Sequence, residues 1–113
     1  MPALVIRKHQ RFATVHVVRV SGAGEGTSKA LLIELSLEGC RLGSVEGEGF
    51  ASGDYITIQV NGFRPIEGCV RWQGDATYGL RLLRPFHVAE LDQLLQICRT
   101  ELQAGELRHA SMI

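Results

Sequence analysis

The sequence predicts a mainly β domain, an antiparallel barrel or sandwich of six short strands followed by one C-terminal amphipathic helix. Three observations carry the prediction. Six segments rich in β-branched, aliphatic and aromatic residues alternate in polarity; the connections between them are glycine-rich or otherwise turn-like rather than helical; and the apolar spacing changes to three and four residues only after Pro85.

The first strand is "FATVHVVRV", residues 12–20, with Val15 and Val17 on one face and His16 and Val18 on the other. "SGAGEGTS" turns the chain, because its small residues have little to bury and its glycines accept unusual backbone angles. "KALLIELS" and "GCRLGSV" then read as strands two and three, separated by "LEG". A second glycine-rich connection, "EGEGFASGD", leads into "YITIQV", where Ile56, Ile58 and Val60 share a face. Asn61-Gly62 suits a hairpin reversal, since both residues tolerate positive φ. "RPIEGCVRW" places Ile66, Val70 and Trp72 on one face if alternation is strict; "QGDAT" turns, and "YGLRLL" is the sixth strand. From Pro85, suited to a first helical turn, the stripe Val88, Leu91, Leu95, Cys98 and Leu102 predicts the helix, with Gly105 as its stop and the remaining residues as a loose tail.

At 113 residues the chain is expected to be one domain over residues 1–104, with residues 1–11 as a flexible basic arm, and a tail at 105–113. A hydrophobic content of 45% with 21% charged residues is that of a globular, water-soluble protein. The apolar runs are far shorter than the ~20 residues of a membrane-spanning helix, and no signal-peptide pattern opens the chain, so the expected location is cytoplasmic. Three cysteines, Cys40, Cys69 and Cys98, form no CxxC pair and are expected to be reduced thiols.

Charge is distributed unevenly on a chain of zero net charge. Residues 1–24 hold Arg7, Lys8, Arg11 and Arg19, and all 12 acidic residues come later. A basic end on a neutral chain fits a compact anion better than a nucleic-acid polymer, which demands a broad basic face. A small OB-like barrel binding single strands is disfavoured on the same ground, and by its few aromatic residues. An enzyme is not expected: the four histidines are scattered, no HExxH, GxSxG or phosphate-loop spacing occurs, and no metal set is legible. Two constellations remain, Arg7-x-x-x-Arg11 ahead of strand one and "ELSLEG", residues 34–39, between strands two and three.

In these two segments the chain resembles the PilZ domain family, whose members commonly bind the bacterial second messenger cyclic di-GMP. The family carries RxxxR before its first strand and D/N-x-S-x-x-G at the end of its second. Arg7 and Arg11 match the first signature, Ser36 and Gly39 match the second, and Glu34 stands where the family has aspartate or asparagine. The likeness extends through "RFATVHVVRV", "IELSLEGCRL", "GDYITIQV", "GCVRWQGDATYGLRLL" and the helix, and it implies a six-stranded antiparallel β-barrel with that helix at its end.

The resemblance implies cyclic di-GMP as a regulatory ligand, with no further cofactor. Guanidinium groups suit it, because each can form a planar two-bond contact with guanine O6 and N7 or with phosphate. Arg7 and Arg11 are therefore expected to clamp the nucleotide. Glu34 and Ser36 are expected to accept from guanine N–H groups, and Gly39 to permit a tight turn and close approach. Lys8, His9, Gln10 and Trp72 are secondary candidates, Trp72 as a stacking wall. The extra methylene of Glu34 displaces its carboxylate and adds a rotor, so reduced affinity is expected. Output is expected through an unidentified protein effector or a second copy of the chain, in motility or biofilm control. The alternative is a barrel acting as an interaction module without nucleotide.

Overall fold

The computed structural model describes residues 10–22, 26–43, 45–46 and 49–111, with only the backbone described from residue 100 onward. Six strands and one helix follow in the order expected: β1 Phe12–Ser21, β2 Ser28–Leu35, β3 Gly39–Gly43, β4 Tyr55–Gln59, β5 Ile66–Gly74, β6 Thr77–Leu82 and α1 Val88–Ser111. The strands close a barrel in the order β1-β2-β3-β6-β5-β4, and every neighbouring pair is antiparallel. Closure resolves the barrel-or-sandwich alternative and leaves no sheet edge to be protected.

Alternation on β1 sends His16, Val18 and Val20 inward, while Val15 and Val17 face outward. Leu32, Leu42, Ile58, Ile66 and Val70 fill the interior from the other strands. The buried stripe of α1, Leu91, Leu94, Leu95 and Cys98, joins the same core. Burial of each Leu or Ile stabilises the fold by ~1.5–3 kcal/mol, so the helix stripe is as much a part of the core as any strand.

Three register shifts interrupt this regular pattern. One lies in β1 between Ala13 and His16, one in β2 between Leu32 and Glu34, and one in β5 between Val70 and Trp72. In β2 and β5 the inserted residue reverses the facing of what lies beyond it, whereas β1 keeps its alternation through the shift. Strict alternation would point Glu34 inward after Leu32; after the shift it is Leu35 that is buried. The β5 shift likewise corrects the expected apolar face: Ile66 and Val70 are buried, but Trp72 is 44% exposed on the outside. At the β1 shift the Thr14 hydroxyl donates to the Leu32 carbonyl at 2.7 Å, supplying a side-chain partner where the ladder is disturbed.

The helix begins later and ends later than its sequence suggests. The His87 amide donates to the Glu90 side chain at 3.0 Å, so His87 caps the helix and Pro85 lies before the first turn. Arg64, in the β4–β5 connection, donates to Glu90 at 2.8 Å and lies over Phe63 and Phe86, which meet edge to face. This cluster ties the helix start to the barrel, and the Arg64 guanidinium holds the Glu90 carboxyl well below its usual range, at about 2. Gly105 is not the stop: the helix continues through it to Ser111. One interior glycine costs only ~1 kcal/mol relative to alanine, and the strong helix formers on either side outweigh it.

Candidate functional site

The "ELSLEG" segment folds into a self-contained turn. The Ser36 amide donates to the Gly39 carbonyl at 2.9 Å, and the Ser36 hydroxyl both accepts from the Gly39 amide at 3.1 Å and donates to its carbonyl at 3.2 Å. The hydroxyl's proton is thereby committed inside the turn. One oxygen lone pair remains for an incoming donor, so Ser36 is suited to accept a hydrogen bond and not to give one. Gly39 is required here by close approach: a Cβ would come within 2.6 Å of the Leu80 carbonyl oxygen on the paired strand β6.

Glu34, turned outward by the β2 shift, is opposite Arg41 in the β2–β3 register. Its two carboxylate oxygens face two arginines, Arg41 at 3.6 Å and Arg11 at 3.4 Å. Arg41 also lies over Trp72, 5.4 Å from the ring centroid, within cation–π range. The indole in turn occupies the space above Gly79, its cross-strand partner, where a Cβ would collide with the ring. Trp72 therefore stands as a half-exposed flat wall, held by a glycine behind it and a guanidinium beside it.

These groups border one open cavity of about 160 Å³ on the outside of the barrel wall. Arg11, Glu34, Ser36, Gly39 and Trp72 all line it, so five residues singled out from the sequence come together, four of them at least 23 residues apart from Arg11. Gln10 is exposed and does not line the cavity, and Arg7, Lys8 and His9 lie outside the described residues. Sequence reasoning missed Arg41 and Arg71, which line it as well. Arg41 is two positions beyond Gly39, but only the shifted register places it against Glu34; Arg71 follows buried Val70 and faces outward by alternation, and the β5 shift sets Trp72 outside beside it.

Among the described residues three arginines and a single carboxylate thus face the cavity, which gives it a positive field suited to an anion. Cys40 also borders it, but burial pushes its thiol up to about 12, so it stays protonated and is no nucleophile. All three cysteines are free thiols. Among the described residues no three His, Cys, Asp or Glu side chains gather as a metal set, and no helix is long and apolar enough to cross a membrane.

A family model described as PilZ domain matches residues 6–100 of the chain. None of the curated proteins matches it.

Proposed function

The chain belongs to the PilZ domain family, a family of cyclic di-GMP receptors, and from that premise we propose that it is a single-domain cyclic di-GMP receptor that signals by altered protein–protein interaction. The observation that carries this reading is the meeting of Arg11, Glu34, Ser36 and Gly39 at one positively lined cavity.

Magnitudes favour exchange of partners on binding. Part-exposed ion pairs such as Arg11–Glu34 and Arg41–Glu34 are worth ~0–1 kcal/mol each. A charge-assisted bond from guanidinium to phosphate or guanine contributes ~1.5–3 kcal/mol. Arg11 therefore leaves Glu34 for the ligand at small cost, and Arg7, four residues earlier in the sequence, completes the clamp. The freed Glu34 carboxylate and the remaining Ser36 lone pair accept guanine N–H groups, and Trp72 offers a stacking face. Nucleotide held between these groups shifts the population of surfaces a protein effector meets, and the output follows from that shift without catalysis. The setting is the bacterial cytoplasm, in motility or biofilm control.

Isothermal titration calorimetry with cyclic di-GMP tests the reading. Binding heat is expected, together with at least tenfold weaker binding in Arg11→Ala; no heat and no ligand-induced rise in melting temperature would end it. The pinning of Glu34 between two arginines favours one second reading, an interaction module that needs no nucleotide. Under that reading a pull-down recovers the same partner with and without cyclic di-GMP.

A further inference from the structure

A second, larger hollow lies beside the nucleotide cavity on the outer faces of β4, β5 and β6. The register sets Tyr55 opposite Cys69, and Cys69 opposite Arg81, so these three side chains form a row across the wall. With Arg71 and Leu83 they border a hollow of about 380 Å³, against about 160 Å³ for the nucleotide cavity. Tyr55 is 64% and Leu83 52% exposed, and both border this one hollow. Leu83 continues into an adjoining hollow of about 220 Å³ shared with Arg84.

Charge decides what such a surface takes. Arg71, Arg81 and Arg84 are exposed and make no salt bridge among the described residues, in contrast to Arg11, Arg41 and Arg64. Unpaired arginines beside exposed aromatic and aliphatic groups are the composition of protein-binding hot spots, where the guanidinium takes a carboxylate in a two-bond fork. A nucleic-acid track fits less well, because Glu38 and Glu67 border the two hollows and interrupt the basic row.

We propose that this face docks an acidic peptide segment of a partner protein, its carboxylates on Arg71, Arg81 and Arg84 and an apolar side chain between Tyr55 and Leu83. The inference rests on the receptor reading for its regulatory sense: Arg71 lines both hollows and is the physical link between nucleotide and partner.

The test uses the full chain and a fluorescein-labelled octapeptide of alternating glutamate and leucine, with its lysine-for-glutamate counterpart as control. The acidic peptide is expected to bind by fluorescence anisotropy and to shift the amide resonances of Tyr55, Arg81 and Leu83, the basic one to do neither. Arg81 does not line the nucleotide cavity, so Arg81→Glu is expected to weaken the peptide at least fivefold with melting temperature and cyclic di-GMP affinity unchanged. Equal binding of both peptides, resonance shifts elsewhere, or no effect of Arg81→Glu would overturn the proposal. So would tighter binding of a single-stranded oligonucleotide to this face, or self-association in sedimentation that shields it. Loss of peptide binding with nucleotide binding intact removes the docking surface alone, and peptide binding without heat from cyclic di-GMP removes the receptor reading alone.

Discussion

Glu34 and Arg41 face each other across the β2–β3 ladder, and the carboxylate that a family-type aspartate would hold closer to the strand reaches the Arg41 guanidinium at 3.6 Å while its other oxygen meets Arg11 at 3.4 Å. One side chain thus occupies two of the cations that line the cavity.

Shortening that side chain relieves both contacts. Glu34→Asp removes one rotor, worth on the order of 0.5 kcal/mol when it is fixed on binding, and releases Arg11 and Arg41 to an anion. Calorimetry is expected to show cyclic di-GMP bound about twofold to threefold more tightly than by the parent chain. Weaker binding would mean that the longer glutamate is the better acceptor in this barrel.

Gly39 has no room for a methyl group. Gly39→Ala sets a Cβ against the Leu80 carbonyl oxygen, a backbone atom that cannot rotate away. Overpacking of this kind costs about 1–3 kcal/mol, which urea denaturation will read as a lower midpoint at unchanged slope. The β2–β3 turn shifts with it, so nucleotide affinity is expected to fall as well.

Acid sensitivity should originate at the start of the helix. Glu90 is held at about 2 by Arg64, against an ordinary value of 4.5. A depressed carboxyl stabilises the fold fully above its unfolded value and loses that contribution as pH falls from about 4.5 towards about 2. Melting temperature measured across this window is expected to drop in the parent chain and to drop less in Glu90→Gln, which has no proton to take up there.

The β5–β6 turn carries removable strain. Asp75 and Ala76 have φ of 38° and 62°, the left-handed region, in a two-residue hairpin that favours glycine at its second position. Ala76→Gly is expected to stabilise the protein by about 1 kcal/mol, seen as a higher denaturation midpoint, with nucleotide binding unaffected. A lower midpoint would show that the flexibility glycine adds to the unfolded chain outweighs the strain it relieves.

Much of this molecule is legible in its amino acids. Periods of two and of three to four residues, punctuated by glycine-rich turns, are local properties of the chain, and they set out six strands and a helix in the correct order. The two signature segments were legible for the same reason, since each is short and its residues sit at fixed spacing. Strand ends followed less closely, because an end depends on what the neighbouring strand offers: the helix starts where Glu90 can reach the His87 amide, and it passes Gly105 because one glycine is too weak a signal to stop it.

What strict periodicity cannot foresee is an inserted residue. Alternation assigns Glu34 to the face of Leu32 and Trp72 to the face of Val70, and in both places a register shift turns the side chain to the outside. A shift is stable only where two strands meet in register on either side of it, and so it belongs to the pairing of strands distant in sequence. The amino-acid order by itself determined six strands, one helix and two signature segments, because each is a matter of local period and spacing. Only closure of the barrel, with its register shifts, decided that Glu34 lies between Arg11 and Arg41 and that Trp72 becomes a wall instead of core.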